Sequence, residues 1–209
     1  MGFYPVLLEL EGRRCVVVGG GPVGERKVEG LLAVGAAVTV VSPDVTPTLG
    51  ALAQAGRITL VERPYRTGDL TGAALVFTAL GDPHATAAVA ADARRLGVWL
   101  NAADDPAHCS FILPAVVRRG PLTVAVASGG ATPALTRALR EHLESALGPE
   151  WGALAELAAE ARRELRAAGR AADGETWRRA LAADVRALVA DLRLDDARRE
   201  LRARLAMPV

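Results

Sequence analysis

The feature that most constrains this chain lies near its start. An apolar run, Cys15-Val16-Val17-Val18, passes without a polar break into Gly19-Gly20-Gly21 and then Pro22-Val23-Gly24. A β-branched run closed by glycines reads as a buried strand, and a proline directly after the turn suits the first position of a helix. The pattern satisfies G-x-G-x-x-G between a strand and a helix, the setting in which it carries weight. Glycines there permit a tight turn and close backbone approach, and the helix N-terminus offers unpaired N–H groups to a pyrophosphate. Gly19, Gly21, Pro22, Val23 and Gly24 are the candidate cofactor contacts; an ordinary glycine-rich turn is the bland alternative.

Downstream, short apolar runs alternate with helical stretches. The helix opened by Pro22 is predicted to run to about Val34, followed by a strand Val38–Val41 that ends at Ser42-Pro43-Asp44. Ile58–Val61, Leu75–Thr78 and Val98–Asn101 read as three more strands, with a helix from about Pro83 to Leu96 between the last two. Strands alternating with helices predict an α/β fold with a doubly wound parallel sheet, and continuous apolar strands fit a sheet covered on both faces. Asp44 lies 20 residues beyond Gly24, the range expected of a carboxylate that binds a ribose hydroxyl. Pro43 at the strand end can turn Asp44 away. No arginine follows directly to hold a 2′-phosphate, which favours NAD over NADP.

The rhythm changes after residue 110. Phe111–Val117 and Leu122–Val126 flank Arg118-Arg119-Gly120-Pro121 and predict a hairpin. Beyond Ser128-Gly129-Gly130 the chain reads as helical to its end, with Leu135, Ala138, Leu139, Leu143 and Ala146 at helical spacing. From Glu150 onward arginines and acids interleave with Ala and Leu, which predicts amphipathic helices rather than a basic arm.

Charge excludes little else. Lys+Arg 25 against Asp+Glu 24 leaves +1, so nothing global points to nucleic acid. The cations are almost all arginine, Lys27 being the sole lysine. The start of the chain is not a signal peptide by pattern, and no run approaches the ~18 apolar residues of a membrane span. Cys15 and Cys109 make no disulfide framework, and His84, His108 and His142 are too scattered to form a metal cluster with them. The expectation is a cytoplasmic protein without a bound structural metal, and with neither a nucleic-acid nor a membrane partner.

A second constellation, Asn101-Ala102-Ala103-Asp104-Asp105-Pro106, follows the fifth strand, where ligands bind in such sheets. Two carboxylates there suit a general base or a metal ligand, although for the loop taken alone an Asx-type turn held by Asp-Pro is the favoured explanation. His108 is close enough to Asp104 in sequence to assist it, and an exposed loop histidine is the equal alternative. His142 falls on the apolar face of its helix and reads as a core or interface residue.

Together these stretches resemble the precorrin-2 dehydrogenase/sirohydrochlorin ferrochelatase family, which includes the N-terminal half of bifunctional siroheme synthases. The matching segments are Tyr4-Pro5, VVVGGGPVGERKV at 16–28, AAVTVVSPD at 36–44, NAADD from Asn101, SFILPAVVRRGPLTVAVASGGATPALTRALRE at 110–141, and His142-Leu143-Glu144.

The resemblance implies a Rossmann domain over 1–112, a dimerisation segment of hairpin plus helix over 113–147, and a C-terminal helical domain over 148–209. It implies a homodimer that binds NAD and precorrin-2 and oxidises the latter to sirohydrochlorin, with Fe²⁺ or Co²⁺ insertion as a second activity in some members. The tetrapyrrole is expected near the nicotinamide, between the domains. Methylation of uroporphyrinogen is not expected, because the chain stops where fused enzymes begin that half.

Asp104 occupies the position of the family's essential carboxylate, as proton acceptor or substrate-orienting group; a slip of one residue would put Asp105 in its place. Pro43 and Asp44 fall at the cofactor's ribose. Ser128 matches a characteristic position at the substrate cleft. Gly129 can present backbone N–H groups to substrate carboxylates, and Arg118, Arg119, Arg137 and Arg140 are candidate partners for them, Arg118 and Arg137 foremost. Two other readings stand beside this one: a chelatase that retains a degenerate nucleotide fold, and a non-catalytic NAD-binding sensor or regulatory dimer. The intact glycine turn argues against the former, and a sensor has no use for Asp104.

Overall fold

Valines 16–18 are at most 1% exposed, and each contributes roughly 1.5–3 kcal/mol by leaving water. They form the heart of β1 (Arg14–Gly20), which sits in the middle of a parallel sheet. The computed structural model describes residues 2–129 and 132–207, which fall into two compact units, Met1–Ile112 and Leu113–Val209. In the first, β1 is followed by α1 (Pro22–Leu32), β2 (Ala37–Val45), α2 (Pro47–Gln54), β3 (Thr59–Val61), β4 (Leu75–Thr78), α3 (Pro83–Leu96) and β5 (Trp99–Ala102). The strands lie in the order β3-β2-β1-β4-β5, all parallel. The order reverses between β1 and β4, the position at which such sheets open a crevice.

Alternation along each strand divides the core. Cys15, Val17, Val38, Val40, Leu75 and Phe77 pack with Val28 and Leu31 of α1 and Leu49 of α2. Val16, Val18, Val41, Val76 and Leu100 face the other way, against Leu70 and Val89, Ala90 and Ala93 of α3. Helices therefore cover both faces, as the unbroken apolar strands predict.

Three elements differ from the sequence reading. β2 does not stop at Ser42: after a bulge opposite Val18–Gly20 it runs through Pro43 and Asp44 to pair Val45 with Gly20. α2 is an additional helix, started by the Thr46 hydroxyl accepting from Leu49 N–H at 3.3 Å and by proline at its first position. Phe111–Pro114 is not strand, because the Asn101 amide takes the Phe111 carbonyl at 3.1 Å. The hairpin is β6 (Ala115–Arg119) and β7 (Leu122–Val126), so Arg118 and Arg119 lie in the strand and only Gly120-Pro121 turns. Gly120 has φ +53°, as a two-residue hairpin loop with glycine first requires.

The second unit continues with α4 (Pro133–Ala146), α5 (Glu150–Ala167), α6 (Gly174–Ala180), α7 (Ala183–Ala190) and α8 (Leu194–Arg204). Leu154, Leu157, Leu165, Val185, Val189 and Leu201 anchor the core of the last four helices. Outside that core, Arg198 pairs with Glu160 at 3.4 Å and Arg202 with Glu164 at 2.7 Å, joining α8 to α5. Among the described residues no helix is long and apolar enough to cross a membrane.

Candidate functional site

The carboxyl end of β1 is built by backbone contact. A Cβ on Gly19 (φ +111°) would stand 2.5 Å from the Ala79 carbonyl oxygen, and one on Gly20 2.5 Å from that of Asp44. A Cβ on Gly24 would stand 2.1 Å from the Gly19 carbonyl oxygen. The chain there leaves no room for side chains. Gly21 differs, since a Cβ on it would meet no protein atom within 4 Å. Gly21 is the N-cap of α1 and contributes no side-chain cap, and Pro22 occupies the first turn. The first helical bond joins Glu25 N–H to the Gly21 carbonyl at 2.9 Å, so Val23 and Gly24 retain amides without an intrahelical partner. Open space above uncapped amides at a positive helix end fits the pyrophosphate of a dinucleotide.

Asp44 lies beside this turn, with its backbone against Gly20 and its side chain exposed. Pro43 is exposed next to it and does not carry Asp44 away from Gly20. Thr46, which the sequence reading passed over, ties the region together. Its N–H donates to the Gly20 carbonyl at 3.0 Å, and its hydroxyl donates to the Glu25 carboxylate while capping α2. The signal available for it was Thr-Pro ahead of a helical stretch.

At the end of β5 the chain turns sharply. Asp104 adopts φ +58°, the left-handed region that aspartate tolerates better than most residues. A single 3₁₀ turn, Pro106–His108, follows. His108 Nδ1 lies 2.6 Å from Asp105 Oδ2, whereas the Asp104 carboxylate is exposed and makes no hydrogen bond or ion pair among the described residues. His108 therefore assists Asp105 and not its neighbour.

The loop then folds back along the free edge of β5. Ser110 Oγ accepts from Leu100 N–H at 2.7 Å, Cys109 Sγ accepts from Ala102 N–H at 3.2 Å, and Phe111 meets Phe77 edge to face at 5.6 Å. Cys109 is a packing and capping residue of this loop. Lys27 stands over the Phe77 ring, 5.8 Å from its centroid. Burial, and then Arg26, push its pKa below the ordinary lysine value, with Asp104 and Cys109 pulling the other way. The sole lysine thus lies within electrostatic reach of Asp104, a role that composition alone could not disclose.

In the second unit Ser128 Oγ accepts from Thr136 Oγ1 at 3.0 Å and from Thr132 N–H at 3.4 Å, beside the N-terminus of α4. Gly129 has φ +63°, and Gly130 lies outside the described residues. The arginine candidates separate. Arg119 donates to the carbonyls of Leu147 and Glu144, both at 2.7 Å, and so closes the C-terminus of α4. Arg140 pairs with Glu144 at 2.5 Å. Arg118 and Arg137 are exposed, and their guanidinium groups make no hydrogen bond or ion pair among the described residues. His142 is exposed as well and is no core residue of this chain.

A family model described as putative NAD(P)-binding matches residues 6–115. The chain belongs to this NAD(P)-binding family. A second model, for the central part of a sirohaem biosynthesis protein, matches residues 119–146. Siroheme synthase of Pseudomonas putida (strain W619) is 44% identical over 166 residues, 79% of this chain and 36% of that protein. Siroheme synthase of Methylococcus capsulatus (strain Bath) is 39% identical over 203 residues, 96% of this chain and 43% of that protein. The chain thus spans less than half the length of these curated relatives. Among solved structures, SirC, precorrin-2 dehydrogenase, superposes with TM-score 0.68 over 98% of both chains at 24% identity, which is a likeness of fold. The Rossmann fold and the family resemblance read from the motifs are borne out by these matches.

Proposed function

We propose that this protein oxidises precorrin-2 to sirohydrochlorin with NAD as hydride acceptor. The observation that carries the reading is the pair of turns at the carboxyl edge of one sheet. The open cradle at Gly21 follows β1, and the free Asp104 carboxylate follows β5, with β4 between them. A model for a sirohaem protein matches directly downstream.

Val23 and Gly24 amides hold the pyrophosphate, and Asp44 takes the ribose hydroxyls beside Pro43, which selects NAD. Bound NAD⁺ supplies the electrophilic carbon that receives the hydride. The other product of oxidation is a proton, and an Asp104 carboxylate oxygen accepts it. Arg118, Arg137, Ser128 and Gly129 are assigned to the carboxylates around the tetrapyrrole. Metal insertion belongs to the same proposal, because Fe²⁺ or Co²⁺ displaces pyrrole N–H protons that the same carboxylate can accept.

The protein is read as a cytoplasmic homodimer in which residues 113–147 form the dimerisation segment. Leu135 and Leu139 of α4 are 51% and 43% exposed in the single chain, an apolar face that a second copy would cover.

The test is anaerobic: NAD⁺ and enzymatically generated precorrin-2 are mixed with the protein while NADH and the tetrapyrrole spectrum are followed. Stoichiometric NADH with sirohydrochlorin is expected, and Fe²⁺ or Co²⁺ added to the same cuvette then tests insertion. NAD⁺ binding without turnover would replace the dehydrogenase with a sensor.

A further inference from the structure

Asp104 and Asp105 are adjacent carboxylates at the end of β5, and their surroundings separate their roles. Asp105 opens the 3₁₀ turn Pro106–His108 but makes no side-chain cap to its N–H groups. Its carboxylate reaches instead across the turn to His108 Nδ1 at 2.6 Å. In 3₁₀ geometry side chains three apart eclipse one another, so this spacing brings the two groups together. The backbone supports the same closure: His108 N–H donates to the Asp105 carbonyl at 3.2 Å, and Cys109 Sγ lies 3.4 Å from that oxygen. Asp105 N–H in turn reaches the Ala102 carbonyl at 3.4 Å, which closes the turn that holds Asp104 at positive φ.

We infer that Asp105 and His108 form a clasp that positions the Asp104 turn, leaving Asp104 alone free to act on substrate. The inference rests on the dehydrogenase reading for its kinetic test. Asp105 fixes the His108 ring through Nδ1 and so braces the 3₁₀ turn, which Cys109 Sγ and the Asp105 N–H tie to Ala102 at the end of β5. Neither residue touches the reacting atoms; both are positioning residues. One Asp105 oxygen is already committed to the imidazole, whereas the exposed Asp104 carboxylate has no such partner among the described residues.

The experiment compares Asp104→Asn, Asp105→Ala, His108→Ala, His108→Asn and the double variant Asp105→Ala/His108→Ala in the anaerobic assay. Asp104→Asn, which tolerates the left-handed backbone, is expected to lower kcat by about 10²-fold or more. Asp105→Ala and His108→Ala are each expected to lower kcat by about 10-fold with KM and NAD⁺ affinity within about twofold, and the double variant should lose no more than either single one. His108→Asn, which keeps an N–H donor where Nδ1 stood, should recover most of the loss.

The clasp is overturned by additive losses in the double variant, by unchanged kcat in His108→Ala, or by an Asp105 variant that fails while Asp104→Asn turns over. Should the wild-type protein leave precorrin-2 unoxidised, the dehydrogenase reading falls, and the clasp is decided separately. In ¹⁵N-labelled protein, Asp105→Ala must then move the His108 Nδ1 resonance, and an unmoved resonance rejects the pairing.

Discussion

The carbonyl oxygen of Gly19 occupies the space that a Cβ on Gly24 would need, 2.1 Å away. Gly24→Ala must therefore move the backbone of the turn and is expected to cost ~3 kcal/mol of stability, on the scale of an overpacked core. Gly21→Ala adds a methyl that meets no protein atom within 4 Å. It should leave thermal unfolding nearly unchanged while weakening NAD⁺ binding by about 10-fold or more, equivalent to ~1.4 kcal/mol. Calorimetric titration of both variants checks this, and wild-type affinity in Gly21→Ala would move the pyrophosphate elsewhere.

Asp44 stands beside Gly20 with its carboxylate exposed. Replacing it with alanine removes a charged acceptor for ribose hydroxyls and should weaken NAD⁺ by about 10-fold. NADP⁺ should be affected far less, because its 2′-phosphate never benefited from a carboxylate there. Dissociation constants for both dinucleotides decide it.

Arg63 grips Asp69 through two parallel bonds of 2.7 and 2.8 Å. The hydrogen bond from Arg63, with help from Arg66, holds the Asp69 pKa below the usual aspartate value. A depressed carboxylate stabilises the fold above its unfolded pKa and loses that contribution as pH falls through the folded one. Asp69→Asn should therefore melt below wild type at pH 7, with the gap closing at pH values beneath about 4. A gap that persists undiminished in acid would assign the loss to packing.

The Thr78 hydroxyl is buried at the end of β4 without a hydrogen-bond partner among the described residues. Thr78→Val keeps the shape and removes the orphan, so it should raise stability by ~1 kcal/mol. A denaturant midpoint lower than wild type would reveal a partner for that hydroxyl.

Leu135→Ser/Leu139→Ser alters two side chains that the single chain leaves exposed. Sedimentation should show the wild type as a dimer and the double variant shifted toward monomer. A wild type that sediments as a monomer at micromolar concentration removes the dimer from the proposal.

Much of this was legible in the chain itself, and particular residues show why. Cys15–Val18 has no polar break, so burial on both faces follows directly. α2 escaped because Pro47–Gln54 is too short for helical periodicity to emerge and contains Gly50; only Thr46-Pro47 marked it. Phe111–Val117 is as apolar as a strand, yet the Asn101 amide captures the Phe111 carbonyl and delays pairing until Ala115. His108 looked like a neighbour of Asp104, but a 3₁₀ turn pairs residues three apart and so selects Asp105. Spacing supplied the candidates, and local backbone geometry chose among them.

The two arginine–glutamate pairs joining α5 and α8 step four residues along both helices, Glu160 to Glu164 and Arg198 to Arg202. Partly exposed pairs of this kind add little energy. Their common stride nevertheless works like a vernier: displacing one helix along the other by a single residue misaligns both pairs at once. The alanine-rich α5, whose smooth surface permits many near-equivalent alignments, thereby acquires a single preferred one against α8.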